Sequence, residues 1–247
     1  MSRLSRLQSE SVAATRTFLR RRTALVFTFV FPLLLVLIFG ALISTDPTGG
    51  GLFTEDPAYY IAGYLAVVVM FTPLSRLSAE VIRHRVDNRF EKLATTPLTR
   101  GEWLLAHTLV TTLIVIIASV IIVVVLVAIS DTAMPHAPIL VVFITLGVVM
   151  FSGIGACLGR IAQTQDGAIA AANTIALPML FLAETFVPPA LLPGWFQPVV
   201  PLLPLTPFTR GVRAAIYNEP WLLELGVLAV LAIGLFVIGI RALPRVD

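Results

Sequence analysis

Few side chains in this chain could do chemistry. Among 247 residues there are three histidines (His84, His107, His136), one cysteine (Cys157) and one lysine (Lys92). A loop that cradles phosphates needs G-x-x-x-x-G-K-[ST], whereas Lys92 follows Phe90 and Glu91 with no glycine near it. No H-E-x-x-H, G-x-S-x-G or Cys-His grouping occurs, and one cysteine in an apolar run supports no disulfide framework. These residues argue against an enzyme: the reading has no catalytic residue, no metal ligand and no cofactor held by this chain.

Charge, by contrast, is gathered in one place. Residues 83–103, "RHRVDNRFEKLATTPLTRGEW", hold four arginines, the only lysine and three acids, in a chain that is 57% hydrophobic and 13% charged. Phe90, Leu93 and Leu98 can supply a buried anchor for a partner, and Arg85, Asp87, Arg89, Glu91 and Lys92 a charged rim that sets register. The plainer reading is a solvated helix in which Asp87 and Glu91 pair with basic residues at i, i+4. A second focus is Glu184, at the outer end of an apolar run, followed by Arg210 and Arg213. An acid at that depth is costly unless it faces a cavity or a partner. Glu184 therefore selects cations, pairs with Arg210 or Arg213, or reaches water at the interface.

The elements that position these groups follow from hydropathy. A mean hydropathy of +0.94 leaves too little polar surface for a water-soluble globule, and a membrane span needs roughly 20 apolar residues. The fold class expected is an all-α polytopic membrane protein forming one domain over 1–247. Six transmembrane helices are expected at 23–44, 59–80, 103–129, 138–158, 167–187 and 221–240, with the charged helix at 83–102. Seven prolines between Pro188 and Pro207 exclude a continuous helix, so 188–208 is expected as a re-entrant outer hairpin of short broken helices. In 1–22, Leu4, Leu7, Ser11, Ala14 and Phe18 recur at helical spacing, which suits a helix on the inner membrane surface; the alternative is a basic tail that serves topology alone. Gly155 and Gly159 have the GxxxG spacing of close helix approach.

Orientation follows from the basic residues, which are retained on the cytoplasmic side. With these spans, fifteen of the 17 fall on one face of the membrane and only Arg210 and Arg213 on the other. Both termini and the charged segment are expected to be cytoplasmic.

Three stretches carry a resemblance. "NRFEKLATTPLTRGEWLLAH" resembles the cytoplasmic loop of the ABC-2 type permeases (the type V exporter fold), which include the daunorubicin-resistance-like membrane subunits. Glu91, Leu93, Thr96 and Pro97 match; Asn88, Arg89 and Phe90 replace the usual Gly, Thr and Leu, and His107 stands where Lys is common. Asparagine tolerates the left-handed backbone, so a turn is kept. "FLAETFVPPALLPGWFQPVVPLLPLTPFTRGVRAAI" is similar to that family's Pro-rich outer hairpin, with Glu184 where a small residue such as Ser or Gly is general. "FPLLLVLIFG" is similar to its first span. The resemblance implies the permease subunit of an ATP-driven exporter in a prokaryotic cell membrane, moving an amphipathic, drug-like or lipid-linked compound. It implies a separate ATP-binding subunit that holds ATP and Mg, a second permease copy or paralogue, the lipid bilayer as surroundings and no nucleic acid. The segment 83–102 becomes a coupling helix, with Arg85, Asp87, Arg89, Phe90, Glu91, Lys92, Leu93, Thr96, Pro97 and Leu98 meeting the ATPase. The alternative from the residues alone is a stand-alone channel or ion-coupled secondary transporter; that class has repeats with broken midplane helices, and Pro73 and Pro178 belong to no recognisable repeat.

Overall fold

The computed structural model describes residues 3–20, 26–30, 32–34, 36–38, 56–130, 138–188 and 192–244. In lipid a backbone must satisfy its own hydrogen bonds, and the regular elements described are all helical. In chain order the α-helices are α1 (Arg3–Leu19), α2 (Pro57–Val86), α3 (Arg89–Ala94), α4 (Arg100–Ser130), α5 (Ile139–Ile161), α6 (Gln165–Leu182), α7 (Thr206–Ile216) and α8 (Leu222–Ala242). A π-helical turn covers Val26–Val30 and a 3-10 helix covers Gln197–Leu202.

Among the described residues, four helices are long and apolar enough to cross a membrane, not the six expected. They are Ala58–Val86, Arg100–Ile129, Ile139–Ile161 and Leu222–Ala242. The run expected at 167–187 forms α6, which ends at Leu182 in irregular chain. With Gln165 and Asp166 in its first turn, the apolar part of this 18-residue helix is shorter than the roughly 20 residues a span requires. Half of the run expected at 23–44 lies outside the described residues.

α2 differs in length from the expected 59–80. Its start is set by Asp56, whose carboxylate accepts from the Ala58 amide at 3.3 Å, with Pro57 pre-shaped for the first turn. At 30 residues it is about 45 Å long at 1.5 Å per residue, more than the roughly 30 Å hydrocarbon core. The excess carries Arg83, His84 and Arg85 beyond the apolar layer. The expected charged helix 83–102 is consequently divided into the end of α2, the short α3 and the start of α4.

α2 is the hub, packed against α4, α5, α6 and α7. Tyr60, Tyr64, Leu65, Met70, Leu74 and Leu77 are all at most 1% exposed. Gly155 and Gly159 of α5 allow this approach: a Cβ on Gly159 would sit 2.6 Å from the Ser78 carbonyl oxygen, and one on Gly155 2.9 Å from that of Leu74. The opposite side of α5 carries α8. α8 otherwise exposes Leu222, Leu223, Val230 and Ile233, and α4 exposes Leu105, Leu109, Leu113 and Ile117 at four-residue spacing. Such apolar stripes suit lipid tails. α1 lies along α4, its Ala14 and Phe18 buried against Val110 and Ile114. In the Pro-rich stretch, residues 189–191 lie outside the described residues, and the rest forms turns, the 3-10 helix and the start of α7.

Candidate functional site

The charged segment is built around a reversal at Asn88, which takes the left-handed backbone (φ 52°, ψ 31°). Thr99 and Glu102 then start α4 as a reciprocal capping box. The Thr99 amide donates to Glu102 Oε2 at 2.9 Å, and the Glu102 amide donates to Thr99 Oγ1 at 3.2 Å. The sequence carries this T-x-x-E signal, which sequence reasoning passed over. Between the two devices, α3 is held to the bundle by its apolar side.

Phe90 is 6% exposed and meets Trp103 edge-on, with ring centroids 5.2 Å apart, and His84 at 5.4 Å. Leu77, Val81, Leu104, Ala156 and Leu243 complete this small core, and Leu93 and Leu98 pack on it partly buried. The three apolar side chains considered as a partner's anchor thus face the protein's own interior. Asp87, Arg89, Glu91, Lys92, Thr96 and Pro97 stay exposed, and Val86 is 66% exposed beside them. Arg89 and Asp87 form an exposed ion pair of 3.0 Å, of a kind that contributes at most about 1 kcal/mol.

Two arginines of this segment work inside the chain. Arg85 Nη1 reaches the carbonyls of Gly159, Arg160 and Ala162 at 3.1, 2.6 and 3.0 Å. Arg100 Nη1 donates to the Leu243 carbonyl at 2.9 Å. Helix C-termini present unpaired carbonyls and partial negative charge, so these guanidiniums bind the segment to the ends of α5 and α8. The ends of α2, α5 and α8 and the start of α4 therefore share one face of the bundle. On that face Arg6 of α1 forks onto Glu102, its Nε at 3.3 Å from Oε2 and its Nη2 at 2.6 Å from Oε1. Buried Glu80, which sequence reasoning passed over, pairs with Arg83.

At the opposite end of the bundle the structure brings Glu184, Arg210 and Arg213 together. Glu184 is 5% exposed and left-handed, with φ 57°. Its Oε1 accepts from Arg210 Nε at 3.0 Å and from Arg210 Nη2, while its backbone carbonyl accepts from Arg213 Nη2 at 2.7 Å. The Arg213 guanidinium also lies over the Tyr59 ring, 3.6 Å from the centroid. Thr209 Oγ1 donates to the Ala183 carbonyl at 2.9 Å, so α7 clasps the end of α6. The Glu184 hydrogen bond holds the Arg210 guanidinium more basic than usual.

The sequence profile of the ABC-2 type transporter family matches residues 8–217. The chain belongs to that family. Among its relatives, a Porphyra purpurea protein named as a transport permease, ycf38, is 24% identical over 232 residues, covering 87% of this chain and 76% of its own. The daunorubicin resistance ABC transporter permease protein DrrB1 of Streptomyces coeruleorubidus is 23% identical over 245 residues, covering 92% and 83%. As an ABC-2 permease the chain is a multi-pass membrane subunit of an ABC transporter, without catalytic chemistry of its own, that cooperates with an ATP-binding subunit. Its family membership is consistent with export and sets aside the stand-alone channel and the secondary transporter. The matched region includes both clusters described above.

Proposed function

We propose that residues 85–98 form the element through which the ATP-binding subunit drives this permease. The observation that supports this reading is the two-sidedness of α3, with Asp87, Arg89, Glu91 and Lys92 exposed around it while Phe90 is seated on Trp103. A partner gripping the charged side would move α3, and Phe90 would pass that displacement to α2 and α4. Thr96 and Pro97 form the exposed return of the loop toward α4. Arg85, Leu93 and Leu98 serve by holding the element to the bundle rather than by touching the partner.

Two permease copies, or this chain and a paralogue, assemble with two ATPase subunits, with ATP and Mg on the latter. The exposed apolar stripes of α4 and α8 offer surface for lipid and for a second permease. The cargo is an amphipathic, drug-like or lipid-linked compound moved outward. Support for that class comes from the Streptomyces relative, whose name records daunorubicin resistance. Reversing two exposed charges, Arg89→Glu with Lys92→Glu, should leave folding within about 0.5 kcal/mol of wild type, as for other surface changes. Affinity for the ATPase, measured by co-purification and titration, should fall by about tenfold or more through like-charge contacts and lost register. Undiminished affinity would return α3 to a solvated helix end.

The charged face belongs in the cytoplasm of a prokaryotic cell, as do both termini, on the grounds of the basic residues gathered there, among them Arg6, Arg83, Arg85, Arg89, Lys92, Arg100 and Arg160. A reporter fused after Arg89 or Asp247 is expected inside, and one after Leu52 or Ala133 outside. An external C-terminus would reverse the assignment.

A further inference from the structure

We infer that Glu10, His84 and His107 form a binding site for a divalent transition-metal ion, with zinc the best chemical fit. The three come from α1, α2 and α4, far apart in sequence, and one ligand atom of each lies within 4.8 Å of those of the other two. His84 and His107 are 8% and 3% exposed, and Glu10 is half-buried at the edge.

The donor atoms are prepared for a metal. His84 Nδ1 lies 2.9 Å from the Glu80 carbonyl oxygen. A carbonyl only accepts, so Nδ1 carries the hydrogen and Nε2 of the neutral ring presents its lone pair. Metal-bound histidines are held in this way by a partner on the other ring nitrogen. His107 Nε2 donates to Glu10 Oε1 at 3.2 Å, and a metal ion would take the place of that proton. Two ligands at roughly 2.0–2.1 Å from one tetrahedral zinc are separated by about 3.3 Å, so this pair already has the required spacing. His84 needs to close at most about 1.5 Å, within reach of small χ adjustments. His107 Nδ1 is buried with no hydrogen-bond partner among the described residues, so the ring is held by the Glu10 contact and by Trp103, whose ring centroid is 4.3 Å away.

The charged groups facing the site are compatible with a cation. Glu80 Oε2 lies 3.8 Å from His84 Nδ1, which adds negative potential behind that ring, and Arg83 partly offsets it. Arg6 is engaged by Glu102. Imidazole and carboxylate donors together favour zinc, copper, nickel or iron over magnesium or calcium. Three protein ligands leave one position to water. An ion there would tie α1 to the ends of α2 and α4 directly behind Phe90. The assignment stands on side-chain geometry and is independent of where the ATPase docks.

The test uses full-length permease in detergent, purified without a polyhistidine tag and stripped with chelator. Titration with CoCl2 and ZnCl2 is expected to saturate at one ion per chain, with a visible cobalt band of a four-coordinate nitrogen and oxygen site that zinc abolishes. Zinc should raise the Tm of the wild type. Glu10→Gln, His84→Asn and His107→Gln should each weaken cobalt binding by about tenfold or more, whereas His136→Ala should not. Glu10→Gln is the decisive variant, because its amide still meets His107 and the stripped protein should keep the wild-type Tm. Absence of stoichiometric binding by the wild type, or wild-type affinity in Glu10→Gln and His84→Asn, would overturn the assignment.

Discussion

Phe90→Ala is expected to leave the permease in the membrane and still able to meet its ATPase, yet to lose the stimulation of ATP hydrolysis by transport substrate by about tenfold or more. Removing a buried phenylalanine costs about 3–5 kcal/mol when the cavity cannot collapse. Here that loss falls on α3, a six-residue helix held against α2 and, through Trp103, against α4. A helix that short has no stability of its own in water, so the truncated element should detach from Trp103 and His84 while the bundle stays folded. Docking without transmission is the signature. It contrasts with the Arg89→Glu and Lys92→Glu pair, which should weaken docking itself. Phe90→Leu should restore much of the coupling, since leucine keeps an apolar plug and is the residue the family pattern places there. Wild-type stimulation in Phe90→Ala would remove Phe90 from the transmission path, and loss of membrane insertion would make it a folding residue of the whole bundle.

Glu184→Gln is expected to lower the Tm, to impair transport of every substrate alike, and to be partly rescued by Arg210→Gln. Glu184 is buried, but the Arg210 side chain is 37% exposed. The loss should therefore lie between the roughly 1 kcal/mol of an exposed pair and the roughly 3–5 kcal/mol of a pair broken in the interior. The double change removes both charges together, so its cost should be smaller than the sum of the single costs. Glu184→Gly adds a second comparison. It relieves a left-handed backbone that costs a non-glycine residue about 1–2 kcal/mol, so it should destabilise less than Glu184→Ala while losing the same ion pair. A cation-selecting role makes a different forecast, in which Glu184→Gln reduces transport of cations, spares neutral compounds and leaves the Tm unchanged. That outcome would show that the carboxylate serves the cargo rather than Arg210 and Arg213.

The sequence by itself determined the class, the family and the place of the charged segment, because each is written in composition or in local order. Hydropathy announces the bilayer, the order of three motifs announces an ABC-2 permease, and Asn88 announces the reversal it makes through its tolerance of left-handed backbone. The capping box at Thr99 and Glu102 was passed over although legible, since both partners lie within one helical turn. The directions of side chains were not. In a soluble helix, polar residues mark the outer face, but in a membrane both lipid and protein interior are apolar. α2 and α8 were consequently both expected as spans with nothing to tell their surroundings apart, although one is the buried hub and the other is exposed over much of its surface. The same ambiguity inflated the count of spans, because an apolar run such as 167–187 does not reveal that its helix ends at Leu182. Phe90 facing Trp103 instead of a partner, Glu184 meeting Arg210, and Glu10 meeting His84 and His107 each join residues far apart in the chain. Only the packing of α1, α2 and α4, and of α6 with α7, places those groups together, since contact between distant residues is set by helix positions and has no local signature.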